Sequence, residues 1–183
     1  MRAVTWAARN VWIAFLTVVV GLVSPTLARE RYGERESLAG LAGVYVLVED
    51  MAPDVERNGL TRSTLQTDVE VKLRQAGIRV LGLTDMVDTE LAIALGSPFL
   101  YLRVVAGRVD EFPLYAVSIS LELSQQVMLN RKTTIGPRIL VAPTWRTSWV
   151  GVVGTKMLHQ VRESVRDQVD QFVNAYLAAN PKR

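Results

Sequence analysis

The sequence predicts an α/β (α+β) domain: a two-layer sandwich in which a mixed β-sheet of four to five strands carries a crossover helix and a long carboxy-terminal helix on one face. Three observations carry that expectation. An apolar, β-branched run at Gly43–Glu49 is followed by a segment of helical period and a second short apolar run. From Tyr115 apolar and polar residues alternate strictly, the pattern of a strand with one dry and one wet face. The last amphipathic segment ends at Pro181 and is long enough to cross the whole sheet.

Taken in order, Gly43-Val44-Tyr45-Val46-Leu47-Val48-Glu49 reads as a central strand bounded by Gly43 and by the Pro53/Asp54 turn signal. Thr61 precedes a segment in which Leu65, Val69, Leu73 and Ala76 recur at helical spacing, with Arg62, Gln66, Glu70 and Arg74 opposite. Gly77 stands where a helix needs a residue of left-handed conformation to stop. Ile78–Leu81 is then a short strand, and strand, helix and strand make one right-handed parallel crossover. Thr84–Leu95 is expected as a second, short helix closed by Gly96-Ser97-Pro98.

Phe99–Val105 is the next strand, and a turn across Gly107–Pro113 leads into the alternating one. There Val117, Ile119, Leu121 and Leu123 fall on one face, and Ala116, Ser118, Ser120, Glu122 and Ser124 on the other. It is expected to reach Leu129, with a turn at Asn130–Pro137 and a last strand at Ile139–Val150. From Thr155 to Asn180 the stripe Leu158, Val161, Val165, Val169, Phe172, Tyr176 predicts a helix of about 25 residues, or about 37 Å at 1.5 Å per residue. The order is β-α-β-(α)-β-β-β-α, and the serine-bearing side of the sheet is expected to stay uncovered.

Ahead of this domain, residues 1–28 read as a signal peptide. Arg2 and Arg9 precede an apolar run, Val11–Val23, and Ser24-Pro25-Thr26-Leu27-Ala28 supplies a small residue at the cleavage point. The alternative is an uncleaved anchor, because Leu27 and Ala28 could extend the run toward the roughly 20 residues of a membrane span. Residues 29–37 are charged and read as a flexible leader, and 38–183 as a single domain. The expected location is therefore periplasmic or secreted, with membrane attachment only if residues 1–28 are retained.

Of 21 Lys/Arg, Arg2 and Arg9 belong to the export segment, so 19 basic residues face 18 acidic ones in the remainder. Arg29-Glu30-Arg31 and Glu34-Arg35-Glu36 interleave the signs, and no nucleic-acid partner is expected. The chain holds no cysteine and one histidine, which excludes disulfides, thiolate catalysis, a lipid-acceptor cysteine and metal sites built on several histidines.

Catalytic groups are hard to assemble. His159, Ser164 and Asp167 sit along one helix, whereas a nucleophile, base and orienting acid must converge from different elements; His159 reads as a surface or boundary residue. Gly151-Val152-Val153-Gly154-Thr155-Lys156 joins a strand to a helix, as an anion-cradling loop does. Its spacing is not that of a phosphate-binding Walker loop, and Thr155 could simply cap the helix. Glu49, Asp50, Asp54 and Glu56 cluster after the first strand without the glycine and alternation of a calcium loop, so neither metal nor cofactor is expected.

Trp145, Thr147 and Trp149 share one face of the last strand, and Arg146 and Ser148 point the other way. Packed under a helix, the indoles are core; facing solvent beside Arg103 or Arg146, they would suit a protein partner or a cell-wall sugar. The speculative binding set is thus Trp145, Arg146, Trp149, Gly154, Thr155 and Lys156.

In whole-domain pattern, carried by Gly43–Asp50, Leu65-Gln66-Thr67-Asp68-Val69-Glu70 and Arg162–Phe172, the chain resembles a group of small exported bacterial proteins without an assigned activity. Its element order is also similar to small α/β envelope domains, such as the amino-terminal domain of the TolB translocation protein and the curli-secretion lipoprotein, although the lipoprotein's acylated cysteine is missing. That resemblance implies a protein-interaction role. The expected function is a non-catalytic binding or envelope-assembly module with an envelope protein or cell-wall partner. The alternatives are a hydrolase or transferase working through Glu49 and Asp50, and a small-ligand or lipid carrier, which needs an apolar cavity.

Overall fold

The structure is a computed structural model that describes residues 33–82, 98–109, 111–131 and 139–181. The export segment 1–28, the start of the leader, the helix expected at 84–95 and most of the turn expected at 130–137 lie outside the described residues.

One mixed sheet runs in sequence order through β1 (Tyr45–Val48), β2 (Phe99–Val109), β3 (Leu114–Met128) and β4 (Ile139–Gly154). β1 is parallel to β2, and the other two pairings are antiparallel. Among the described residues three α-helices accompany it, α1 (Pro53–Arg57), α2 (Arg62–Gln75) and α3 (His159–Ala179), with a short 3-10 turn at Glu36–Leu38. The predicted mixed sheet with a long carpeting helix is what the chain builds.

α2 starts and stops where its sequence says it should. Thr61 is extended, and its hydroxyl accepts the Thr64 amide, satisfying one of the amides a helix leaves open at its start. At the other end Gly77 takes φ of +78°, the Ile78 amide reaches back to Leu73 O and the Gly77 amide to Arg74 O. This is the paired 6→1 and 5→2 closure of a Schellman turn, and Leu73 and Ile78 are both buried against each other's end of it.

The strand expected at Ile78–Leu81 is reduced to one parallel bridge, Val44 with Val80. The Val44 amide bonds Arg79 O and the Leu81 amide bonds Val44 O, both at 2.9 Å. Gly43 permits the approach, since a Cβ there would stand 2.8 Å from Arg79 O.

All core side chains enter from one face. The alternate positions Leu100, Leu102 and Val104 of β2 and Tyr115, Val117, Ile119, Leu121 and Leu123 of β3 are buried, facing Leu65, Val69 and Leu73 of α2 and Val161, Val165, Val169 and Phe172 of α3. Bidentate contact of Arg162 with Asp68, supported by Arg166, and a Lys72–Asp170 pair tie α2 to α3. The Arg162 hydrogen bonds hold the Asp68 carboxyl below its ordinary value, against the opposing pull of burial.

The period-two pattern of β3 breaks at Leu123/Ser124, where the pairing with β4 shifts register around Thr144. The extra residue of this bulge is Thr144 on β4, and on β3 Leu123 and Ser124 are both buried. The residues before the domain are held there: Ser37 Oγ bonds Thr144 O, Gln125 donates to Ser37 O, and Leu38 is fully buried.

Candidate functional site

Among the described residues the helices leave the other face of the sheet uncovered, and the strand register lays its residues out in rows. Leu47, Tyr101, Glu122 and Arg146 form one row; Glu49, Arg103, Ser120 and Ser148 flank the next; Val105, Ser118 and Val150, then Gly107, Ala116 and Val152, complete the far end. This is the serine-bearing face expected to stay open.

Its polar centre is ordered. Tyr101 donates its hydroxyl to Glu49 Oε2 at 2.7 Å, and Arg103 Nε meets the same oxygen at 3.0 Å. The Glu49 hydrogen bond, followed by burial and the carboxylate charge, raises the Tyr101 phenol above its ordinary value, and Arg103 partly offsets this. A protonated tyrosine and a guanidinium thus share one oxygen of one carboxylate. Such a trio fixes side chains on a surface, and does not leave Glu49 as a free base.

Beyond this centre the face becomes apolar and wet at once. Val105 is 49 %, Val152 61 % and Val150 77 % exposed, so three β-branched side chains stand in solvent on this face, two on β4 and one on β2 with Ser118 of β3 between them. Both larger exposures belong to β4, which has no strand neighbour on its outer side among the described residues. A flat face with an apolar margin at a sheet edge suits an extended protein segment better than a small molecule.

The residues singled out from the sequence separate onto opposite faces. Trp145 is only 5 % exposed and packs edge-on against Phe172 at 5.2 Å between ring centres. Thr147 beside it is buried and donates to Gln168 Oε1. Trp149 is half-buried on the same core face, whereas Arg103 and Arg146 are exposed on the open one. The tryptophan patch beside an arginine is therefore not built: alternation along β4 keeps indoles and guanidinia on opposite sides.

Gly154, Thr155 and Lys156 do not cradle an anion at a helix start. β4 continues through Gly154, paired with Leu114, and the Thr155 amide is taken by Pro113 O. α3 begins only at His159, with Leu158 before it and no side-chain cap, so Thr155 caps nothing. His159 itself is exposed. Gly151 owes its presence to Trp149, because a Cβ there would stand 2.3 Å from the indole Cη2.

The acidic cluster after β1 also disperses. Asp50 pairs with Arg62, Asp54 accepts the Tyr115 hydroxyl at 3.0 Å, and Glu49 belongs to the open face. That contact is the main cause of a raised Tyr115 phenol value, with burial adding to it. No group of three metal-binding side chains occurs among the described residues. A depression of about 520 Å³ at the β2–β3 turn is lined by Arg108, Glu111, Phe112 and Pro113, a mixed lining rather than an apolar cavity.

Sequence reasoning missed the Glu49–Tyr101–Arg103 trio. Tyr101 and Arg103 have the period-two spacing that puts them on one face, but Glu49 joins them only through the parallel β1–β2 register. No protein-family model, curated protein or solved structure matches this chain.

Proposed function

We propose that the protein is an exported, non-catalytic binding or assembly module of the cell envelope that engages a protein or cell-wall partner through the open face of its sheet. The observation that supports this reading is the exposed apolar margin at Val105, Val150 and Val152 beside an ordered polar centre at Glu49, Tyr101 and Arg103. Exposed β-branched side chains lose little contact with water on folding, and Val150 and Val152 side by side on β4, with Val105 two strands away, support a contact surface.

Export rests on residues 1–28. Arg2, Arg9 and the apolar run Val11–Val23 are what a secretory signal needs, and among the described residues no helix is long and apolar enough to cross a membrane.

The test is a photo-crosslinking residue at Ser120, between the polar centre and the valines, in the full chain expressed in cells. An adduct with a discrete envelope component, weakened when Arg103 and Arg146 are both changed to Glu, supports the reading. Adducts no different from those of the same probe at exposed Glu163 on α3 would overturn it. Fractionation with amino-terminal sequencing tests the location: a start at Arg29 in the soluble periplasmic fraction is the expected result.

A further inference from the structure

Beyond that reading, and independently of it, we propose that β4 is a homodimerisation strand: two copies of the chain pair antiparallel along their β4 edges about a twofold axis at Val150, joining two four-stranded sheets into one of eight.

The backbone is set for it. The Thr155 amide points inward, to Pro113 O on the β3 side. In an antiparallel pair alternate residues bond to the same neighbour, so Val153, Gly151, Trp149 and Thr147 serve β3. The amides and carbonyls of Arg146, Ser148, Val150, Val152 and Gly154 therefore point out of the sheet. Ser37 occupies the outer side at Thr144, so the free run starts at Arg146.

Natural sheets blunt such edges with charge, proline or bulges. β4 has Pro143 and the bulge at Thr144 on one side of this run, but from Thr147 to Thr155 there is neither a charge nor a proline. Among the described residues the edge is covered by Ser37 at Thr144 and has no strand partner from Arg146 onward.

The bare run is complementary to itself. With the axis at Val150, Val150 meets its own copy, Ser148 meets Val152, and Arg146 meets Gly154, all outward-pointing residues and all on the open face. These five pairings supply about ten N–H···O bonds, two for each hydrogen-bonded pair. On the core face Trp149 falls opposite the Gly151 of the other copy, a position that the other copy's own Trp149 indole already covers, so no further side chain has to be accommodated there. Moving the axis to Gly151 would set Arg146 against Lys156, like charges in direct opposition. Moving it to Trp149 would set Gly154 against Thr144, whose outer side Ser37 occupies, and so would lose the outermost pairing at each end. Charge and the number of free backbone groups select the Val150 register. Isologous contact of this kind closes on itself as a dimer.

The chain has no cysteine, so a single introduced thiol reports the register. In intact cells expressing the full chain, Val150→Cys should give about tenfold more disulfide-linked dimer on copper-phenanthroline oxidation than Val105→Cys, because only residue 150 meets its own copy within disulfide reach. Ser148→Cys and Val152→Cys should each stay unlinked alone and link when combined in one chain. Val150→Lys should abolish dimer in light scattering of the purified protein, and circular dichroism would verify that it folds. A monomer for the parent chain at all concentrations, equal cross-linking at 105 and 150, or a Val150→Cys adduct only to a different protein would each overturn the proposal.

Discussion

At the β1 edge of the sheet the strand is four residues long, and Gly43 brings the backbone of Arg79 against Val44, so the edge opens under a bridging segment. At the β4 edge the strand is sixteen residues long and its outer side has no strand neighbour among the described residues. Both lie over the same helical layer, and both send alternate side chains into the same core. The difference is in what remains. At β1 a glycine is used to bring backbone in, whereas at β4 Gly151 makes room for the Trp149 indole. Burial of core residues thus fixes the architecture at both edges, and the sequence at β4 is left with a surface that the fold itself does not consume.

The comparison breaks first if the core under β4 is not what holds that strand. Phe172 is fully buried and meets Trp145 edge to face, so Phe172→Ala should cost about 3–5 kcal/mol in urea unfolding. A loss below about 1 kcal/mol would mean that β4 and α3 are docked by their polar contacts instead. At the β1 edge, Gly43→Ala forces the Arg79 carbonyl to move and should cost about 1–3 kcal/mol by the same measurement.

These two sites also show what the sequence could disclose. The Thr61 and Gly77 ends of α2 and the alternation of β3 were readable because each depends on residues within one turn or one strand. The two-layer arrangement followed from their order. The start of α3 was misplaced at Thr155, because strand and helix periods overlap between Val150 and Leu158, and only pairing with Leu114 and Pro113 decides that the strand continues. Trp145 and Arg146 were correctly assigned to opposite faces, but which face lies under the helix is a tertiary matter. The candidate site was the least legible part, since Glu49 reaches Tyr101 and Arg103 through a parallel register that no local pattern encodes.

A smaller effect separates the helical layer from both edges. Asp68 binds Arg162 and Arg166 across the α2–α3 contact, and its folded value is depressed from the ordinary 3.8. Its contribution is therefore fully present above 3.8 and is lost as pH falls through the lower folded value. Asp68→Asn should lower the melting temperature by about 3 °C at neutral pH, and the gap to the parent should close below pH 3.8. A gap that persists in acid would assign the effect to packing.

On the open face, Glu49→Gln should return the Tyr101 phenol toward 10.0, moving one of the five tyrosines to lower pH in a tyrosinate absorbance titration. With the parent's raised value, the stability this contact adds is present below 10.0 and is lost as pH rises through the folded value. An unchanged titration would mean that the phenol is held by the sheet rather than by Glu49.

The smallest effect is the most informative about the β4 edge. Val150 is 77 % exposed, so its side chain loses little contact with water on folding, and a lysine there is what sheet edges usually carry. Val150→Lys should shift unfolding by no more than about 0.5 kcal/mol, as for other surface exchanges, when measured in dilute protein where no dimer forms. A loss above about 1 kcal/mol in the monomer would show that Val150 supports the fold, and the distinction between the two edges would fail. A null result in the monomer together with loss of the dimer would place the whole value of this residue in the contact it makes with another chain, because the same substitution would then leave the core under β4 untouched.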